Sequence, residues 1–177
     1  MRIVALSDIH GNLPALNAVL ADVARRGADQ IVNCGDILSG PLWPAETAER
    51  LMALDLPTIA GNHESQLLRC ASGPGGASDV YGFRQTSAAQ RAWLAGLPAT
   101  LALDGGVFVC HGRPDSDHEY LLETVEPAGS RAASAAEVAQ RLAGTAGQDA
   151  GLLLCGHSHL PRVLQLPEAP HTLCVNP

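Results

Sequence analysis

The sequence contains no lysine, and all eleven of its basic side chains are arginine. Walker-type phosphate loops and Schiff-base mechanisms both require a lysine, so these two chemistries are excluded. Long apolar runs are also missing, since none approaches the roughly 20 residues that span a bilayer. The first apolar run, residues 3–6, is too short for the core of a signal peptide. We therefore expect a cytoplasmic protein that does not act at a membrane.

Positive charge is scarce, because eleven basic side chains face eighteen acidic ones and give a formal net charge of −7. This charge argues against non-specific binding to nucleic acid. It does not argue against a substrate that carries phosphate, because bound divalent cations can reverse the sign of the local field. The sequence indicates no particular oligomeric state.

Cysteine occurs five times, an odd number, and without a Cys-x-x-Cys pair. Neither a disulfide framework nor a thiolate zinc site is therefore indicated. Cys34, Cys110 and Cys155 each end an apolar run. We interpret them as small buried strand residues with reduced thiols.

Strand and helix patterns alternate along the chain. Asn12 can cap a helix that has Pro14 in its first turn and closes at Gly27, and Ser134 with Glu137 forms a capping box for a later helix. The other predicted helices cover residues 45–54 and 87–94. The predicted strands cover residues 3–7, 30–34, 57–60, 101–103, 107–110, 152–155, 162–166 and 172–175. This order predicts a layered α/β fold that is parallel in its first half, with a mixed or second sheet in its second half.

Polar motifs follow these strands directly. In chain order they are Asp8-Ile9-His10, Gly35-Asp36, Gly61-Asn62-His63-Glu64, His111 and Gly156-His157-Ser158-His159. Residues at i and i+2 of an extended chain point to the same side, so Asp8 and His10 can reach a common point. In such folds sites form at the carboxyl ends of the strands, and we expect these side chains to meet there.

Each motif alone is weak evidence. A single Asp-x-His, Gly-Asp or Gly-Asn-His after a strand is more often a cap or a turn. Gly-His-Ser-His is rarer, because two partly buried imidazoles need partners. The occurrence of all the motifs at predicted strand ends is what indicates one common site.

Taken together, the motifs resemble those of the calcineurin-like metallophosphoesterase superfamily. Its pattern is Asp-x-His, Gly-Asp, Gly-Asn-His-Asp/Glu, a histidine after a strand, and Gly-His-x-His, and every element is present between positions 8 and 159. The short chain is similar to the small bacterial and archaeal phosphodiesterase branch. The resemblance implies a β-sandwich flanked by helices, with a dinuclear metal site at the carboxyl ends of the strands. It also implies an enzyme that hydrolyses phosphate esters of small molecules or nucleotides.

The resemblance further implies two divalent cations that share one carboxylate, Asp36. Their ligands would be, for the first cation, Asp8, His10, Asp36 and His159, and, for the second, Asp36, Asn62, His111 and His157. Oxygen and nitrogen donors without sulfur suit Mn²⁺, which we expect first, and also Fe, Zn²⁺, Ni²⁺, Co²⁺ or Mg²⁺. Two such ions roughly 3.5–4 Å apart can share a hydroxide that attacks phosphorus in line.

Three further residues are candidates for contact with the substrate. The resemblance assigns no metal to His63 and implies that it protonates the leaving group. We expect Asn62 and Arg113 to bind the substrate, because a guanidinium group can hold phosphate oxygens in a bidentate way; the alternative for Arg113 is a solvated surface side chain. Arg69 and His118 are expected to be solvated.

The chain departs from the family pattern at two places. Relatives that dephosphorylate proteins orient the histidine equivalent to His63 with an aspartate from an Asp-Arg-Gly stretch after Gly-Asp. Here residues 37–41, Ile-Leu-Ser-Gly-Pro, follow instead, so no partner for His63 is predicted. The chain also ends at Pro177, where relatives add strands. We therefore expect a single domain, residues 1–177, that lacks part of the second sheet.

Other functions are less favoured by the sequence. A serine/threonine-type phosphoprotein phosphatase is disfavoured by the missing Asp-Arg-Gly stretch. A non-catalytic scaffold, as in the retromer subunit of the same superfamily, is disfavoured by the full ligand set and by His63. A serine hydrolase is disfavoured because residues 156–160 lack the second glycine of a nucleophile elbow. A Cys110–His111 pair is disfavoured because adjacent strand residues face opposite sides.

Overall fold

In the computed structural model, which describes residues 1–168 and 171–177, strands and helices alternate along the first part of the chain. The strands are β1 (Ile3–Leu6), β2 (Gln30–Asn33), β3 (Thr100–Leu103), β4 (Val107–Cys110), β5 (Glu123–Glu126), β6 (Gly129–Ala132), β7 (Leu152–Leu154), β8 (Arg162–Gln165) and β9 (Leu173–Asn176). The helices are α1 (Leu13–Arg26), α2 (Pro44–Leu54), α3 (Asn62–Arg69), α4 (Ala77–Gln85), α5 (Ala88–Ala95) and α6 (Ala135–Leu142).

The helices begin and end where local capping chemistry allows. The Asn12 side chain accepts a hydrogen bond from Ala15 N at the start of α1, and Gly27 ends that helix with a φ of 74°. Ser87 and Ser134 open α5 and α6 with capping boxes. The Asn12 and Ser134 caps were predicted from the sequence, whereas the Ser87 cap was not. Each of these side chains accepts from an amide that has no partner inside the helix. Among the helices of the described residues, none is both long and apolar enough to cross a membrane.

The strands of the described residues form two main sheets and a separate hairpin. β1 and β2 pair in parallel. A second sheet has the order β3-β4-β7-β9-β8, in which the β4–β7 and β7–β9 pairs are parallel and the outer pairs antiparallel. The parallel first half and the mixed second sheet were both predicted. The antiparallel β5–β6 hairpin was not, since β6 is exposed along its length and carries no apolar alternation.

Alternation along the strands divides the core into layers. In β1, Ile3 and Ala5 pack against a cluster shared with Val107 and Val109 of β4, so the two main sheets face each other. The intervening residues of β1, Val4 and Leu6, join a cluster with the apolar face of α1 and with α2. On the far side of the second sheet, Phe108 belongs to a cluster that includes residues of α6. The result is a β-sandwich flanked by helices, as the family resemblance implied.

Three segments differ from the sequence-based prediction. The predicted strand at residues 57–60 is reduced to one parallel bridge between Asn33 and Thr58. Residues 62–69 and 77–85 form the helices α3 and α4, which the sequence analysis did not identify. α3 is only eight residues long and largely polar, and α4 carries Gly82 in its interior and has a weak apolar periodicity. Both helices lie beside the candidate site.

Candidate metal centre

The polar motifs converge at the carboxyl ends of the strands. Asp8 follows β1, Asp36 follows β2, His111 follows β4, and two histidines follow β7. Asn62 is the first residue of α3, after the bridge at Thr58. Six of the seven predicted ligands form two groups in which the donor atoms lie within 4.8 Å of one another. The groups are Asp8, His10 and His159, and Asp36, His111 and His157.

The first group brings one carboxylate to two imidazoles. His159 Nε2 lies 3.3 Å from Asp8 Oδ1 and 3.2 Å from His10 Nε2. His159 is the more exposed of these histidines, with 57% of its side chain accessible against 24% for His10. This group therefore lies on the solvent side of the centre.

The second group lies deeper, with Asp36 and His111 buried and His157 partly buried. His111 Nε2 lies 3.2 Å from Asp36 Oδ2 and 3.1 Å from Asn62 Oδ1. Asn62, the seventh predicted ligand, thus joins this group through its side-chain oxygen. The side chains of His111 and Asp36 are 0% and 2% exposed, so their electrostatic interactions are only weakly screened by solvent.

The Asp36 carboxylate, a member of the second group, also approaches the first. Its Oδ2 atom is 3.2 Å from His111 Nε2 and 3.9 Å from His10 Nε2. Its Oδ1 atom accepts a hydrogen bond of 3.0 Å from the backbone amide of His63 at the start of α3. One carboxylate therefore lies near donors of both groups, and the expected bridging of two cations by Asp36 stays a prediction.

Three of the histidines are oriented by backbone carbonyls. His10 Nδ1 donates to Ser39 O at 2.6 Å, His111 Nδ1 to Cys34 O at 2.8 Å, and His157 Nε2 to His118 O at 3.0 Å. A proton fixed on one ring nitrogen leaves a lone pair on the other. In the neutral rings of His10 and His111, this second nitrogen is Nε2, which faces the Asp36 carboxylate. Carbonyl acceptors of this kind are the usual outer partners of metal-binding histidines.

The backbone at the predicted ligands is left-handed. Of the described non-glycine residues, seven have a positive φ, and five of these are predicted ligands with φ between 48° and 70°: Asp8, His10, Asp36, His157 and His159. The prediction that the residues at i and i+2 meet because the chain is extended was therefore wrong about the backbone. Both members of each pair, Asp8 with His10 and His157 with His159, still reach the centre. Such backbone costs of order 1 kcal/mol or more per residue and is typically retained at functional sites.

The electrostatics of the centre follow from these contacts. Burial lowers the pKa of His111, but the hydrogen bond and negative charge of Asp36 outweigh it and raise that pKa to about 9. Burial alone would raise the pKa of Asp36, but its contacts with His111 and His63 outweigh burial and lower that pKa. Burial lowers the pKa of His157. Around His111 Nε2, two oxygen acceptors meet a ring nitrogen, which is favourable only with a proton or a cation between them.

The Glu64 carboxylate fixes the backbone around Asp36. Its carboxylate accepts hydrogen bonds from the amides of Gly61, Asp36 and Ile37 at 2.8–2.9 Å. Burial and the nearby Asp36 charge raise the pKa of Glu64 to about 7 despite these three donors. The sequence showed Glu64 as part of Gly-Asn-His-Glu but suggested no role for it. The signal was its position three residues after Gly61, which is that of a capping-box acid.

His63, the predicted general acid, lies beside the first group. Its ring meets the His10 ring edge-on, with the centroids 5.3 Å apart. Its Nδ1 atom lies 2.9 Å from Asp79 Oδ1. Asp79 is 4% exposed and lies in the first turn of α4. The partner that the sequence analysis could not identify is therefore present, and it comes from a helix that was not predicted.

Arg113 and His118 lie in the loop after β4. The Arg113 guanidinium bonds both carboxylate oxygens of Asp115 at 2.9–3.0 Å and also contacts Glu119, so a role in substrate binding stays a prediction. The His118 side chain is 54% exposed, in keeping with the expected solvated state. Its carbonyl, however, orients His157, a role that no sequence signal indicated.

Family comparison agrees with the motif pattern. The sequence model described as calcineurin-like phosphoesterase matches residues 1–161. Phosphodiesterase YfcE of Escherichia coli K12 is 39% identical over 77 residues, which are 38% of this chain and 42% of that protein. The uncharacterized protein MJ0912 of Methanocaldococcus jannaschii is 42% identical over 66 residues, which are 37% of this chain and 27% of that protein. The alignments thus span less than half the length of these curated relatives.

Structural comparison gives the same fold. The crystal structure of a metallophosphoesterase from Sphaerobacter thermophilus matches 100% of this chain and 76% of its own, with a TM-score of 0.76 and 25% identity. The structure of YfcE matches 99% of this chain and 78% of its own, with a TM-score of 0.52 and 23% identity. These matches extend over the whole chain, whereas the sequence alignments cover little more than a third of it.

Proposed function

Because the chain belongs to the calcineurin-like phosphoesterase family, we propose that it hydrolyses phosphate esters of small molecules or nucleotides with two divalent cations. The observation that carries the proposal is the buried Asp36 carboxylate, which belongs to one group of oxygen and nitrogen donors and also approaches the other. A carboxylate in that position can bind both cations of a pair. The phosphodiesterase YfcE, a relative by sequence, supports the choice of a small phosphodiester.

The donor set fits divalent cations of the first transition row. Neither group contains a sulfur donor, and imidazole with carboxylate suits Mn²⁺, Fe, Zn²⁺, Co²⁺ or Ni²⁺. The carbonyl contacts of His10 and His111 fix Nδ1 of each ring and leave Nε2 toward the centre, and His157 is held by a carbonyl in the same way at its Nε2. We propose Mn²⁺ as the first candidate and keep Mg²⁺ in the test.

Two cations bound here would polarise phosphoryl oxygens and supply a nucleophile from water at neutral pH. The residues of the chain then have separate tasks. Asp36 and the histidines of the two groups would hold the cations. The positive charge of the cations would then lie where negative charge develops on the phosphoryl oxygens. Asn62, whose amide oxygen faces the second group, has an amide nitrogen available for a phosphate oxygen.

His63 is the proposed general acid. Its Nδ1 is engaged by Asp79, so Nε2 is the nitrogen that can give a proton to the substrate. As the bond between phosphorus and the leaving oxygen breaks, the Nε2–H bond breaks and an O–H bond forms on the leaving group. The ring is left neutral. Arg113 can assist by binding a phosphate oxygen only if it exchanges its contacts with Asp115 and Glu119.

One observation favours a second candidate function, that of a phosphoprotein phosphatase. The sequence disfavoured it because the carboxylate partner of His63 was missing from the expected stretch, but Asp79 supplies such a partner from α4. Activity on bis(p-nitrophenyl) phosphate and none on phosphopeptides would eliminate this candidate. The reverse result would replace the phosphodiesterase proposal with it.

The proposal is tested with metal-stripped protein reconstituted with Mn²⁺, Mg²⁺, Ni²⁺ or Zn²⁺ in turn. We expect hydrolysis of bis(p-nitrophenyl) phosphate that requires added metal and that Asp36→Ala abolishes. Asp22→Asn, which removes a surface carboxylate paired with Arg25 and Arg26, is the matched control and should keep full activity. A wild-type protein that binds two metal ions but hydrolyses neither bis(p-nitrophenyl) phosphate nor phosphopeptides would refute the proposed function.

A further inference from the structure

We propose that Asp79 is the positioning residue of His63, and that Ser39 couples it to the first group of donors. The inference rests on the proposed function, because it assigns a task within the same site. Family membership does not supply it: the stretch in which some relatives carry the orienting aspartate reads Ile37-Leu38-Ser39-Gly40-Pro41 in this chain.

The contact between the two side chains has the geometry of a strong hydrogen bond. Asp79 Oδ1 lies 2.9 Å from His63 Nδ1, and the Asp79 side chain is 5% exposed while that of His63 is 30% exposed. The carboxylate can only accept, so Nδ1 carries the proton of this bond. The imidazole is thereby fixed at its Nδ1 end, which leaves Nε2 of this partly exposed side chain as the nitrogen that can serve a leaving group.

Asp79 is itself held in place by its surroundings. Its Oδ1 atom also accepts a hydrogen bond of 2.6 Å from the Ser39 hydroxyl. It is the third residue of α4, where the free amides and the dipole of a helix favour negative charge. A Cβ atom on Gly76 would approach Asp79 Oδ2 to 2.8 Å. The backbone thus lies close against the carboxylate and excludes a larger neighbour.

Ser39 extends the chain of contacts to the first donor group. Its backbone carbonyl accepts the hydrogen bond of 2.6 Å from His10 Nδ1, while its hydroxyl holds Asp79. Ser39 therefore contacts both the carboxylate that orients His63 and the ring of His10, a candidate metal ligand. A shift of Asp79 is expected to disturb His63 directly, and His10 only through the backbone of Ser39.

The kinetic test compares two diesters with different leaving groups in the metal-reconstituted protein. Loss of a well-positioned acid matters most when the leaving group is poor. For Asp79→Ala we expect a fall in kcat of about tenfold or more on diphenyl phosphate and of no more than about threefold on bis(p-nitrophenyl) phosphate. Asp79→Asn, whose amide oxygen can still accept from Nδ1, should fall in between. Two bound metal ions should be retained in both variants, and Asp22→Asn should match the wild type.

A double-mutant cycle separates positioning from general structural damage. If Asp79 acts through His63, Asp79→Ala should have almost no further effect in a His63→Ala background. The inference would be overturned by a further fall in kcat in the His63→Ala background. It would also be overturned by equal falls in kcat on the two diesters, or by loss of bound metal. Should Asp79→Ala fail to fold, the same comparisons are made with Asp79→Asn.

A readout without catalysis uses the metal-free protein. Proton–nitrogen correlation spectra should show a His63 Nδ1 proton that exchanges slowly with water in the wild type, and this signal should be weakened in Asp79→Asn and lost in Asp79→Ala. Its absence from the wild-type spectrum would contradict the proposed contact. If the wild type hydrolyses neither diester, the proposed function fails, and the spectra still decide whether Asp79 orients His63.

Discussion

Metal-free protein should become less stable as the pH rises from 6.5 to 9, because His111 holds a proton between Asp36 and Asn62. Burial alone would lower the pKa of His111, but the Asp36 carboxylate raises it to about 9, against 6.5 in the unfolded chain. A histidine with a raised pKa stabilises the fold fully below pH 6.5, and the contribution disappears as the pH passes 9. The difference between these two pKa values corresponds to roughly 3 kcal/mol.

The assay is urea unfolding of chelator-treated protein at several pH values between 6 and 9, for the wild type and for His111→Asn. The free energy of unfolding of the wild type minus that of the variant should fall by roughly 3 kcal/mol across this range. Burial and the Asp36 charge raise the pKa of Glu64 to about 7, so the interval above pH 7 isolates His111. A difference that stays flat or rises with pH would refute the reasoning.

Saturation with Mn²⁺ should reverse the sign of this dependence. The cation takes the place of the His111 proton, so metal affinity should increase with pH up to about 9. Binding at pH 7.5 should release about one proton from this site. Calorimetry in buffers of different ionisation enthalpy measures that number. Release of no proton would mean that the cation does not bind at His111.

Three further changes probe the packing around the site. Gly61→Ala would place a Cβ atom against Asp36 Oδ1 and 2.7 Å from Asp36 N, so we expect a loss of metal affinity of about tenfold or more; Gly73→Ala, with nothing within 4 Å, is the control and should bind like the wild type. Glu64→Gln should lower the free energy of unfolding by about 1–3 kcal/mol, because an amide cannot accept all three backbone hydrogen bonds; an unchanged midpoint in urea would contradict this. Of the five thiols, four are buried and Cys70 is partly exposed, so a thiol reagent should modify about one cysteine in the native protein and all five after denaturation.

The parts of the fold with strong local signals were predictable from the sequence. The β1–α1–β2 unit was identified because apolar runs, the Asn12 cap and Gly27 mark its boundaries, and each functions as expected. The strands predicted at residues 101–103 and 107–110 are present as the antiparallel pair β3–β4. The convergence of the motifs could be inferred because the carboxyl ends of neighbouring strands meet at one edge of a sheet.

The parts that depend on tertiary contacts were not predictable. Asp79 lies on a weakly periodic helix and meets His63 only because α3 and α4 pack together. The left-handed backbone of Asp8 and His10 has no sequence signal, since these residue types adopt it only where the surroundings compensate for its cost. Arg113 followed a motif closely enough to suggest substrate binding, yet two nearby carboxylates engage it.

The proposed activity depends most directly on a cation pair at Asp36. Crystals of the protein grown with Mn²⁺ and measured at the manganese absorption edge should show two anomalous peaks, both within coordination distance of the Asp36 carboxylate. One peak should lie at the group of Asp8, His10 and His159, and the other at the group of Asn62, His111 and His157. A single peak, or two peaks that do not share Asp36, would contradict the account.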